Sequence, residues 1–237
     1  MKKWRRFAAV ILAAGMAVSM VGCGGGGSSA ESNPAAGGEA QGSAGAVTDP
    51  DRLVTYASTS MITNFDMKFI TSASDIQAAD QVYDTLVRKI NGEIIGQLAD
   101  SWEISEDGLQ YTFHLNENAV FSDGTPITAE DVKFSTEYIR DECENWAWLY
   151  EDLDEVEVVD EHTAVMHFST ADASRISTMC YSEYGGIFSK GAYEKWGDEY
   201  GKSVDKIVSS GPYVATAWEE NVSVTFEARD DYYGPQP

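Results

Sequence analysis

The sequence predicts an α/β fold, a mixed sheet with packed helices, and three observations carry the prediction. Segments that alternate apolar and polar residues recur beside turn signals, as where Tyr111, Phe113 and Leu115 interleave with Gln110, Thr112 and His114. Between them lie stretches of helical periodicity that open on capping patterns, Ser74 with Gln77 and Thr128 with Asp131. Residues 48–237 are also enough for one globular part with a real core.

The elements follow in chain order. Lys2, Lys3, Arg5 and Arg6 precede an apolar run from Phe7 to Val18, which is the layout of an export signal. An uncleaved anchor helix is the competing reading, but the run falls short of the ~20 residues that a span needs. The run ends in Met20-Val21-Gly22-Cys23, which resembles a bacterial lipobox with Met20 where leucine is usual. That resemblance makes residues 1–22 a lipoprotein signal peptide and Cys23 the lipidated first residue of the mature chain. Residues 23–47 then read as a flexible tether, because Gly, Ser and Ala supply neither a core nor a helix face.

Arg52 to Ser58 is a β-favouring run, followed by a polar irregular stretch. From Ser74 the residues Ile76, Ala79, Val82, Tyr83, Leu86, Val87 and Ile90 share one helical stripe, so the helix is expected to reach Ile90. Two strands are expected around Glu106, Asp107 and Gly108, where glycine supplies positive φ. Asp123 and Gly124 turn the chain, Pro126 keeps its predecessor extended, and a strand is expected to pass directly into the helix capped by Thr128. A loop rich in aromatics, Asn145 to Leu153, leads to a second hairpin across Asp160, Glu161 and His162. Helical pieces are expected at 171–180 and 192–196, with a turn at Tyr184 to Gly186. Two final strands place Val222, Val224, Phe226 and Ala228 on one face.

Formal net charge is -23, which makes nucleic acid or an anionic membrane surface a poor partner. Besides Cys23 there are two cysteines, Cys143 and Cys180, which an oxidising compartment would allow to pair or to remain separate buried thiols. His162 and His167 differ by an odd number of positions, against a shared metal on one strand face. No nucleophile elbow, phosphate-cradling loop or zinc spacing is present, so no catalytic residue, cofactor or metal is assigned and an enzyme is not expected. Six tryptophans and twelve tyrosines are the notable resource, since aromatic side chains can line a ligand cleft.

Residues 98–139 carry a dense pattern: Leu98-Ala99, Ser101-Trp102-Glu103, Asp107-Gly108, Tyr111-Thr112-Phe113, Asp123-Gly124-Thr125-Pro126 and Ala129-Glu130-Asp131-Val132. With Gln81 to Arg88 upstream and Ser209 to Val214 and Ala228 to Gly234 downstream, it resembles the family 5 extracellular solute-binding proteins of ABC importers, the dipeptide, oligopeptide and nickel receptors. The resemblance implies a type II periplasmic-binding-protein-like fold, of which residues 48–237 would be the first lobe, ending before the second. It further implies a non-catalytic receptor on the extracytoplasmic side of the membrane. Such a receptor takes up peptide or a similar small solute and hands it to a permease and ATPase. Nickel or a metal chelate is the alternative ligand. A truncated remnant, or a tethered interaction or sensory protein without transport, is the alternative role. Ligands of open α/β sheets sit at the carboxyl ends of strands; by that rule and the family analogy, the candidate contacts are Ser58, Thr59, Ser60, Met61, Tyr184, Ser210 and Gly211.

Overall fold

The computed structural model describes residues 60–220 and 222–235. The signal segment, Cys23, the tether and the expected strand at Arg52 to Ser58 lie outside them, as do Ser58 and Thr59. No helix among the described residues is long and apolar enough to cross a membrane.

Helix α1 spans Ala73–Val82. Its cap is Ser72 rather than Ser74: the Ser72 hydroxyl accepts from the Asp75 backbone N–H at 3.1 Å, and Asp75 completes a capping box. The helix does not reach Ile90. It stops at Tyr83, which is extended, and Val87–Ile90 (β1) and Glu93–Gly96 (β2) form an antiparallel hairpin. Asn91 (φ 52°) and Gly92 (φ 89°) make its two-residue turn, and this Asn-Gly pair is the signal that the helical stripe concealed.

Strands β3 (Ala99–Ile104), β4 (Gln110–Leu115), β5 (Leu153–Asp160) and β6 (Thr163–Phe168) form one sheet in the order β3-β4-β6-β5. Both expected hairpins are present, the first turning at Gly108 with φ 71°. The α/β class and the packed helices hold, with one refinement: all strand pairs among the described residues are antiparallel, because short turns join most partners. The register Tyr111↔Met166 and Phe113↔Ala164 puts these side chains on one buried face, which α2 (Ala129–Glu142) covers. His114 and His167 lie on the opposite, polar face, with His167 Nε2 3.0 Å from Glu157, while His162 falls in the β5–β6 turn.

No strand feeds directly into α2. Between Leu115 and Ala129 the loop folds back on itself through the isolated bridge Val120↔Pro126, burying Phe121 and Ile127. The cap works as expected and reaches further. Asp131 accepts from the Thr128 backbone N–H (3.0 Å) and hydroxyl (2.9 Å) with one oxygen, and from the Lys190 backbone N–H (3.0 Å) with the other. Asp131 thus ties the start of α2 to α5 (Lys190–Trp196). Replacing it with alanine strands three donors, and a loss of about 2 kcal/mol in urea unfolding is expected.

Of the helical piece expected at 171–180 only a single turn forms, α3 (Arg175–Thr178), followed by another, α4 (Ser182–Gly185), where a turn was expected. The last hairpin is β7 (Tyr213–Glu219) with β8 (Ser223–Ala228). Val224 and Phe226 face the core from it, but Val222 precedes the strand and is 66% exposed, and Ala228 is exposed too, so the expected four-residue face shrinks to two. Cys143 is buried and Cys180 half-buried, and both are free thiols.

Candidate functional site

The structure sorts the candidate contacts into two groups. Ser210 and Gly211 are interior. The Ser210 hydroxyl accepts from the Asp84 backbone N–H (2.9 Å) and donates to the Ile187 carbonyl (2.6 Å), so its bonding capacity is spent on the scaffold. Gly211 donates its N–H to the Val82 carbonyl at 2.9 Å, and a Cβ there would sit 3.0 Å from the Val82 carbonyl carbon. Both residues therefore fasten the loop before β7 to the end of α1.

Ser60, Met61 and Tyr184 are accessible. Met61 is 46% exposed, and Ser60 places its hydroxyl 2.7 Å from that of Ser74 in the first turn of α1. Tyr184, half-buried on α4, is the hub of an aromatic cluster that spacing alone did not reveal. Trp146 meets it edge-on at 5.2 Å between centroids, Trp148 at 5.8 Å and Tyr181 at 6.3 Å. Two hydrogen bonds fix the cluster: the Trp146 indole N–H donates to the Ile70 carbonyl (3.1 Å), and the Tyr150 hydroxyl donates to the Tyr184 carbonyl (2.8 Å). The first bond links it to the loop leading into α1, beyond which Ser60 is attached. Trp148 and Tyr181 are 55% and 50% exposed, so flat apolar faces with polar edges are presented to solvent on a rigid base.

None of these four aromatic residues lines either of two cavities found among the described residues. One, of about 350 Å³, runs beside His114 and His162; the other, of about 340 Å³, is lined by Asp80, Asp84, Arg88, Gln97 and Cys180 among others. Asp84 stands out there, because burial pushes its carboxyl up to about 6 even though the Tyr232 and Tyr233 hydroxyls bond it. Among the described residues no group of three or more His, Cys, Asp or Glu is arranged to hold a metal ion.

Residues 93–237 match the family of bacterial extracellular solute-binding proteins, family 5, middle. The chain belongs to this family. It is similar to the probable D,D-dipeptide-binding periplasmic protein DdpA of Escherichia coli, 29% identical over 157 residues, which cover 65% of this chain and 30% of that one. The dipeptide-binding protein of Escherichia coli is 26% identical over 211 residues, covering 78% and 39%. Among solved structures, the MoaA binding protein of A. tumefaciens in complex with mannopinic acid matches with TM-score 0.67 and 30% identity over 73% of this chain and 36% of that one. The substrate-binding domain of a Bacillus anthracis oligopeptide ABC transporter matches the fold with TM-score 0.71 at 23% identity, over 75% and 38%. The chain spans about a third of the length of these relatives. The type II binding-protein fold is therefore established, and the family consists of binding proteins rather than enzymes.

Proposed function

We propose that the chain serves as the lipid-anchored, extracytoplasmic solute-binding component of an ABC importer, with short peptides as its ligands. The observation that carries the ligand reading is the aromatic wall in which exposed Trp148 and Tyr181 stand on half-buried Trp146 and Tyr184. Aromatic faces with polar edges stack on amide planes and apolar side chains without selecting one sequence. Relatives named for dipeptide and oligopeptide binding support the same reading. Ser60 and Met61 would extend the wall towards the first turn of α1, and Ser58 and Thr59 immediately precede them in sequence. Permease and ATPase subunits are the implied partners. A relative of known structure is in complex with mannopinic acid, which is therefore a second ligand to titrate.

Titration with dipeptides to pentapeptides, read by tryptophan emission, tests the ligand reading: a saturable change supports it, and none up to millimolar peptide counts against it. The anchor rests on the basic start, the short apolar run and Cys23. Two acyl chains hold a protein stably at a bilayer. Cells expressing Cys23→Ala are expected to release the protein from the membrane fraction and to lose incorporation of labelled palmitate. Retention with undiminished label would exclude Cys23 as the attachment point.

A further inference from the structure

The segment after β8, residues 229–234, is fastened to the body at two places. The Arg229 guanidinium donates to the carbonyls of Ser209 (3.0 Å), Gly211 (3.2 Å) and Val120 (2.9 Å), and pairs with Asp231 at 3.0 Å. Three of these bonds end on main-chain carbonyls, which carry no titratable proton.

The second fastening has a different chemistry. One oxygen of Asp84, just past the end of α1, accepts from both the Tyr232 hydroxyl (2.8 Å) and the Tyr233 hydroxyl (2.6 Å). The other accepts from the Gln97 side-chain amide at the start of the sheet. Asp84 is 1% exposed and Tyr232 8%. The charged groups acting on this carboxyl are Arg88 from β1 and Arg229 just after β8, both favouring the ionised form; Asp80 of α1, Lys89 of β1 and the Cys180 thiol line the same cavity. A carboxylate this buried has lost its water, and the three donors and nearby cations only partly replace it.

We propose that Asp84, Tyr232 and Tyr233 form a proton-sensitive strap that holds residues 229–234 against the end of α1 more tightly in acid than at neutral pH. In the docked state the carboxyl titrates at about 6, raised chiefly by burial against an ordinary value of 3.8. Undocking admits water to Asp84 and moves it back towards that value. The docked state therefore binds the proton more tightly, so its advantage is full below about pH 4 and is lost as pH rises through 6. The neutral carboxyl remains compatible with the docked geometry: it donates its proton to one phenol oxygen and accepts from the other, and phenols do both.

The test is hydrogen–deuterium exchange of residues 229–234 in the full chain, corrected for intrinsic exchange, at pH 5 and pH 7.5. Protection is expected to fall about tenfold between the two values, as the shift requires. In Asp84→Asn it is expected not to change with pH. Equal protection at both values in the unmodified chain, or the same fall in Asp84→Asn, overturns the proposal. Tyr233→Phe provides a check that does not depend on Asp84→Asn folding. It removes a bond that favours the ionised form, so the midpoint of the change moves up in pH; an unmoved midpoint overturns the role of Tyr233 and with it the strap.

Discussion

Replacing Arg175 with alanine is expected to lower the stability of the fold by about 3–5 kcal/mol, the range for breaking a buried ion pair. The side chain is 2% exposed. Its two terminal nitrogens meet the two oxygens of Asp152 at 2.9 and 2.8 Å, a third bond reaches the Thr170 carbonyl at 3.0 Å, and the guanidinium carbon lies 3.6 Å above the Phe168 ring. The alanine variant loses the stem packing, the ring contact and all three bonds. Arg175→Met keeps most of the volume; it unpairs the Thr170 carbonyl and Asp152, the latter 26% exposed and able to take up water. Its loss should be about 1–2 kcal/mol. The Arg175 bonds hold the Asp152 carboxyl below its usual range. A depressed carboxyl contributes stability above its unfolded pKa and loses it as pH falls through the folded one. Urea midpoints at neutral pH and in acid should therefore converge for the unmodified chain and Arg175→Met as pH drops through the carboxylate range.

Gly201→Ala should cost about 3 kcal/mol or more, for a backbone reason. Gly201 has φ 76°, and a Cβ there would fall 2.4 Å from the Asp66 backbone nitrogen and 2.8 Å from the Phe65 carbonyl carbon. Both neighbours are main chain, and Gly201 is itself fixed by Phe65 N–H donating to its carbonyl (2.9 Å) and by its own N–H donating to the Lys206 carbonyl (3.0 Å). Neither side can yield without breaking that pairing. Gly124 provides the control: its φ is 82°, but nothing lies within 4 Å of an added Cβ. Gly124→Ala should therefore show only the left-handed penalty, about 1 kcal/mol. Equal losses at the two positions would mean that the close approach at Gly201 contributes nothing.

What could be read from the sequence was what local chemistry decides. The β3–β4 and β5–β6 hairpins follow from alternation around glycine- and aspartate-bearing turns, and the Thr128–Asp131 cap from a four-residue pattern. The end of α1 was hidden because Leu86, Val87 and Ile90 continue its stripe. The chain instead turns extended because distant partners claim its backbone: Ser210 and Ile187 bond Asp84, and Thr85 bridges to Gly186. The Asn-Gly turn at 91–92 was the local hint of that outcome.

The site shows the same division. Tyr184 is among the candidates; Tyr181 meets it locally as the N-cap of α4, whereas Trp146 and Trp148 join it only because α4 packs beside the loop after α2. No spacing rule brings residues 146–148 and 181–184 together. Ser210 and Gly211 were candidates by analogy of position, but the structure uses them as internal fasteners.

Trp148, at 55% the most exposed member of the aromatic wall proposed to receive a peptide, is the side chain whose loss a bound peptide would feel first. The decisive measurement is a peptide titration followed by tryptophan emission, run on the unmodified chain and on Trp148→Ala. A saturable shift that weakens at least tenfold, or vanishes, in Trp148→Ala while the urea midpoint stays unchanged is the predicted result. An equal response with equal affinity in Trp148→Ala would mean that the peptide binds elsewhere and not at the aromatic wall.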